Sequence, residues 1–264
     1  NEINDEGVVD KANTIAFSAY SNKTRAYENG DVDIAKMKEG SFGVVGYKSG
    51  SSIYLGSASK AVEQTWQSTA WGYANPAELK YWPDGKMDFY AYFPYSYNAT
   101  FAESDASGDV MTIANVNCSH DVLFAKHTTS YTERVPLTFY HAFSKIKKVN
   151  VSIGDNADKG YVKDAGVSVE IKNVEFINTS TSGTVKVDNS GVASYEVASP
   201  NVTLSKDLSS SVVTVNSTEL TGTLIDNSTS GGYLFATTSE STATKNVKGT
   251  GKTMWNGNTT SLAE

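Results

Sequence analysis

The chain has one cysteine, Cys118, in 264 residues. A single thiol can neither close an intrachain disulfide nor build a cysteine zinc site, so neither organises this fold. Cys118 reads as a small buried apolar residue. Arginine is nearly as scarce, with Arg25 and Arg134 the only two. Charged residues make up 19% of the chain and the net charge is −7. A binder of nucleic-acid backbone needs clustered Lys and Arg, so nucleic acid is excluded as a partner. The nearest basic run, Lys145-Ile146-Lys147-Lys148, is broken by an apolar residue and reads as the wet face of a strand. No run of about 18 apolar residues exists, which leaves no membrane-spanning helix. The start, Asn1-Glu2-Ile3-Asn4-Asp5-Glu6, lacks the basic and apolar regions of a signal peptide. Either the protein is cytosolic or the sequence begins after a removed signal, and the abundance of Ser, Thr, Asn, Gly and Tyr favours an exported surface protein.

Catalytic and cofactor motifs are missing as well. Gly249-Thr250-Gly251-Lys252-Thr253 ends like a phosphate-binding loop, but the first glycine of that motif would fall at Asn246. Gly40, Gly43 and Gly46 repeat every three residues on an expected strand, which is not a dinucleotide fingerprint. Asp155-Asn156-Ala157-Asp158-Lys159-Gly160 carries the turn glycine of a calcium loop, yet its twelfth position is Gly166 where a bidentate Glu is required. It reads as a solvated turn. His120, His127 and His141 have no carboxylate pair or nucleophile motif beside them, and His141 is expected to pack or hydrogen-bond within a long strand. Neither an enzyme nor a cofactor follows from these residues. Nine glycosylation sequons, from Asn22 to Asn258, carry little weight in a chain this rich in Asn, Ser and Thr.

What the sequence does have is short alternating apolar runs. In Thr14-Ile15-Ala16-Phe17-Ser18-Ala19-Tyr20, Ile15, Phe17 and Ala19 share one face, the period of a half-buried strand. A polar turn with Arg25 follows, then a weakly helical link from Ala26 to Gly40. Strands are predicted at Ser41–Tyr47, Ile53–Leu55, Met87–Tyr95, Val110–Val116 and Asp121–Lys126. Ser57 to Tyr81, with Trp66 and Trp71, is irregular in pattern. Thr128 to Arg134 reads as a link between domains. Val135 to Ile153 is the longest strand signal, with a slip of phase near Ser144 that predicts a bulge or bend. Short strands follow at Gly166–Ile177, Thr184–Val187, Ala193–Val197, Val212–Val215 and Gly232–Thr237, the spacing of a sandwich or barrel. From Ser239 to Glu264 the chain is polar and aperiodic and is expected to be a loop, with closing strands beyond it.

Several of these stretches together resemble the fimbrillin family, the subunits of type V pili of Bacteroidales. They are Ile15-Ala16-Phe17 with Thr24-Arg25-Ala26, Ser41 to Tyr47, and Tyr81-Trp82-Pro83-Asp84-Gly85-Lys86 leading into Met87 to Pro94. Asp121 to Ala125 and Leu137 to Ile146 complete the match, and the second half agrees in general character. The resemblance implies an all-β protein of two tandem transthyretin-like antiparallel β-sandwich domains, with an N-terminal propeptide at 1–25 and domains at 26–132 and 133–264. It implies export to the cell surface as a lipoprotein and assembly with other pilin subunits, serving adhesion to host or bacterial surface ligands. An arginine-specific protease would cut Arg25–Ala26 and free the strand that carries Ile15, Phe17 and Ala19, opening a groove for a strand of the next subunit. Arg134, which precedes Val135-Pro136, is expected to be cut more slowly. Two other readings stay open: a monomeric surface lipoprotein that keeps its first strand, and a glycan-binding sandwich. The latter would show Trp66, Trp71, Trp82 and Trp255 exposed in one plane.

Overall fold

The computed structural model describes residues 13–21, 32–117, 120–145, 148–152, 168–179, 182–198, 202–216, 221–226, 233–235, 247–255 and 258–261. Arg25, Ala26, Cys118 and the turn at Asp155–Gly160 lie outside these residues.

The first strand, β1 (Phe17–Ser21), is followed by a single helical turn, α1 (Ile34–Met37), whose N-terminus is capped by the Asp33 carboxylate on the Lys36 amide. β2 (Ser41–Lys48), β3 (Ile53–Leu55), β4 (Val62–Trp66) and β5 (Trp71–Tyr73) come next, then β6 (Met87–Phe93). After β7 (Thr100–Phe101) and β8 (Asp109–Asn117) come β9 (Leu123–Thr129) and β10 (Val135–His141). Eight of these strands form one sheet in the order β1-β10-β9-β6-β2-β4-β5, with β3 also on β2. Ser57–Tyr81 is therefore not irregular, since β4 and β5 lie inside it. The apolar alternation of β4 is masked because its second buried position is the polar Gln64.

The big sheet is buried on both faces, which is why β2 and β6 read as near-continuous apolar runs rather than alternating ones. Its concave face encloses Phe17, Phe42, Phe89, Leu137 and Phe139. Its other face, with Tyr47, Tyr90 and Tyr92, packs on a four-stranded sheet ordered β15-β14-β8-β7. That sheet takes its hairpin β14 (Ser182–Asp188) and β15 (Ala193–Val197) from far along the chain, so strands from both sides of residue 132 share one sandwich. Glycines at 43 and 46 belong to this packing: a Cβ at Gly43 would lie 2.5 Å from the Tyr92 ring, and one at Gly46 would lie 2.9 Å from the Phe89 ring.

The predicted phase slip near Ser144 is a change of core. Strand β10 ends at His141, and β11 (Phe143–Lys145) follows after one residue. Phe139 faces the concave interior, whereas Phe143 joins the cluster between the sheets. β12 (Lys148–Ser152) then begins a smaller region. There β13 (Ser168–Thr179) pairs with β16 (Val202–Asp207), β17 (Val213–Asn216) and β20 (Val247–Trp255), and β20 with β21 (Asn258–Ser261). β18 (Thr221–Asp226) pairs with β12, and β19 (Tyr233–Phe235) with β11. Ile171, Val174 and Leu208 form the buried centre of this region.

Two expectations are corrected here. The polar tail from Ser239 is not simply a loop, because β20 and β21 lie in it. Val247 to Met254 runs antiparallel along β13, where Lys, Gly and Thr satisfy the ladder without an apolar signature. The same ladder places Gly249–Thr253 mid-strand. The antiparallel rule also has one exception among the described pairings, which is the parallel pair β1–β10.

Candidate functional site

The strand around Phe17 forms as its alternation predicts. Ile15 and Phe17 are completely buried and Ala19 nearly so, while Tyr20 on the opposite face is exposed. The Phe17 ring meets Phe89 edge-on at 5.5 Å between centroids and Phe42 at 6.4 Å. All three predicted groove-filling side chains thus share one interior. Arg25 and Ala26 follow in the undescribed stretch.

β1 is stitched into place in two different ways. Its approach, Asn13 to Ile15, runs antiparallel to residues 80–82: Ile15 N–H donates to the Lys80 carbonyl at 2.9 Å, and Trp82 N–H to Asn13 at 2.9 Å. From Phe17 onward it lies parallel to β10, with Phe17 opposite Val135 and Ala19 opposite Leu137. Val135 N–H donates to the Ala16 carbonyl at 2.7 Å. In a parallel ladder this makes Ala16, Ser18 and Tyr20 the residues bonded to β10, and turns the backbone of Phe17 and Ala19 to the opposite side.

On that opposite side the sheet curls until β1 faces β5, the strand at its other margin. Side chains span the seam. Tyr73 Oη, from β5, donates to the Ile15 carbonyl at 2.8 Å. Arg134 Nη1 donates to the Phe17 carbonyl at 3.0 Å and reaches the Trp71 carbonyl at 3.5 Å. Burial pushes the Tyr73 hydroxyl far above its ordinary value, so it stays a donor at any physiological pH. Beside the seam is an open groove of about 360 Å³ walled by Ala19, Tyr20, Ile34, Trp66 and Trp71. The Lys38 ammonium sits 3.9 Å over the Trp66 ring.

Trp71 is buried, and Trp66 packs edge-on against it at 5.7 Å. Trp82 packs on Phe89 and Tyr131, both at 5.8 Å, so these three tryptophans do not form one exposed platform. His141 Nδ1 lies 2.6 Å from Asp121 Oδ2, a partner outside its own strand. His127 is part of β9 opposite Phe89, and burial lowers its proton affinity. Asp88 and Asp105 form a buried carboxyl pair. Burial pushes Asp88 up, but hydrogen bonds from Ser49 and Thr128 and the Lys126 ammonium outweigh that and hold it low. Asp105 is raised to about 6, by burial first and then by Asp88. No group of three or more metal-ligating side chains occurs among the described residues.

The model of a fimbrillin-like family matches residues 11–262, nearly the entire chain. The chain belongs to the fimbrillin-like family. No curated protein matches it. Membership makes this fimbrillin-like chain one of a structural rather than an enzymatic family and points to a fimbrial protein at the cell surface. Sequence reasoning identified the strand but missed Tyr73 and the use of Arg134. A tyrosine in a stretch that reads as irregular and an arginine in a polar link carry no signal of a shared seam.

Proposed function

We propose that this fimbrillin-like chain is a structural subunit of a type V pilus, assembled by strand exchange and serving adhesion. On this reading the protein is exported as a lipoprotein and built on two transthyretin-like sandwiches. An arginine-specific protease cuts Arg25–Ala26, β1 leaves, and a strand from another pilin subunit fills the groove beside β10. The observation that carries the reading is the position of β1. It is a margin strand from the start of the chain whose buried residues line the principal core. Removing it would expose an apolar trough and one row of unpaired β10 backbone groups, a template for strand addition. Refilling with residues like Ile15 and Phe17 contributes roughly 1.5–3 kcal/mol each, and ladder bonds about 1 kcal/mol apiece. Repeated head to tail, this contact gives an open fibre.

The test is digestion of the full chain with an arginine-specific protease, followed by intact mass, N-terminal sequencing and imaging, with Arg25→Gln as the control. Cutting at Arg25, loss of β1 and growth of multimers is the expected result. Resistance of Arg25, or a cut protein that stays monomeric with β1 bound, overturns it in favour of a stable surface lipoprotein.

A further inference from the structure

We propose that Tyr73 and Arg134 form a two-point carbonyl clamp that holds β1 in the seam and governs how fast it leaves. The inference rests on the reading of β1 as an exchangeable strand and adds what regulates its exchange. Its basis is the pattern of bonds on the outer side of β1. β10 supplies the inner ladder, and on the outer side Tyr73 Oη and Arg134 Nη1 donate to the carbonyls of Ile15 and Phe17. These carbonyls lie two residues apart, so they point the same way and are read together. Both donors address main-chain oxygens. They hold a strand by its backbone and register, whatever its side chains.

The two donors have different anchors. Tyr73 projects from β5 and donates to the Ile15 carbonyl, while Ile15 N–H donates to the Lys80 carbonyl. Both backbone groups of Ile15 are therefore held on this side of the strand. Arg134 immediately precedes β10 and folds back over the margin, reaching the carbonyls of both β1 and β5. The guanidinium suits this position because several N–H groups in one plane serve two acceptors. Arg134 is thus a closing device, whereas Arg25 is the bond to be cut. With the clamp intact, β1 leaves the cut chain more slowly than it would without these two bonds.

The experiment uses the full chain, unmodified and as Arg134→Gln, Arg134→Lys and Tyr73→Phe. Amide hydrogen exchange is read at residues 16–20 against β6 as the internal standard. A charged but solvent-exposed donor and a buried neutral one each contribute about as much as an ordinary hydrogen bond, so exchange in β1 should quicken roughly three- to tenfold in Arg134→Gln and in Tyr73→Phe. Arg134→Lys, which keeps the charge but loses the planar fork, should lie between. β6 should stay unchanged. Unaltered β1 exchange, or equal acceleration in β6, overturns the clamp, since the latter is general destabilisation. The second arm cuts each protein at Arg25 and follows release of the β1 peptide. Faster release from the variants than from the unmodified chain supports the clamp. Equal release rates overturn the clamp but leave strand exchange standing. Retention of the peptide by every protein, with β1 exchange still accelerated, supports the clamp and overturns strand exchange.

Discussion

Phe17→Ala separates a strand that can leave from one that is built in. The ring is fully buried and meets Phe42 and Phe89 edge-on, so truncation removes its transfer energy and leaves a cavity where those rings met. Such changes cost about 3–5 kcal/mol. The two large side chains buried by β1 and its approach, Phe17 and Ile15, contribute only about 1.5–3 kcal/mol each. The loss therefore rivals what seats the strand, and β1 should undock before the sheet behind it yields. Hydrogen exchange of the intact chain is the direct assay. Residues 16–20 should lose most of their protection, while amides of β2 and β6 keep theirs. In urea, the main unfolding midpoint should move by less than the full 3–5 kcal/mol corresponds to. A shift of the whole amount, with protection lost evenly across the sheet, refutes the reasoning. β1 would then be an integral part of the core rather than a separable element.

Three further outcomes follow from the packing. Asp105→Asn should raise Tm at pH 7.5. With its folded pKa near 6 against an ordinary 3.8, the carboxyl favours folding when protonated and loses that contribution as pH climbs through about 6. The gap in Tm should close as pH falls from about 6 towards 4, measured by circular dichroism. Gly43→Ala drives a methyl into the Tyr92 ring and the Ala61 Cβ, so it should cost about 1–3 kcal/mol in urea denaturation. His141→Ala leaves the buried Asp121 without its imidazole, and Asp121 Oδ1 already has no hydrogen-bond partner among the described residues. A loss of about 3 kcal/mol is expected, with partial recovery in His141→Gln.

Local periodicity made much of this fold legible. Ile15, Phe17 and Ala19 face one way because a strand has period two, and their burial follows once one face is covered. Val135, Leu137 and Phe139 obey the same rule, and the slip after them marks a real change of face at Ala142. Legibility fails where a strand's partners, not its own pattern, stabilise it. β20 is Lys-, Gly- and Thr-rich and looks like a loop, yet β13 supplies its ladder. β4 and β5 are hidden by polar residues at a sheet margin. The parallel sense of β1, the addition of β14 to β8, and the meeting of Tyr73 with Ile15 join residues 58 or more apart or depend on such pairings, and no local pattern encodes them. The long-range geometry therefore decides the candidate site, although its buried residues were recognisable one by one.

The parallel pairing of β1 with β10 also bears on how the chain is made. Parallel neighbours cannot be joined by a tight hairpin, and here the contact from Arg134 to Phe17 spans 117 positions. A ribosome adding about 5–20 residues per second would expose the Ile15-Phe17-Ala19 face several seconds before its docking strand is synthesised. During that interval this apolar strand lacks its parallel partner, and closing so long a loop delays its seating further. The newborn chain thus carries a sticky segment through translation, and an escort that covers it would protect the cell from premature association.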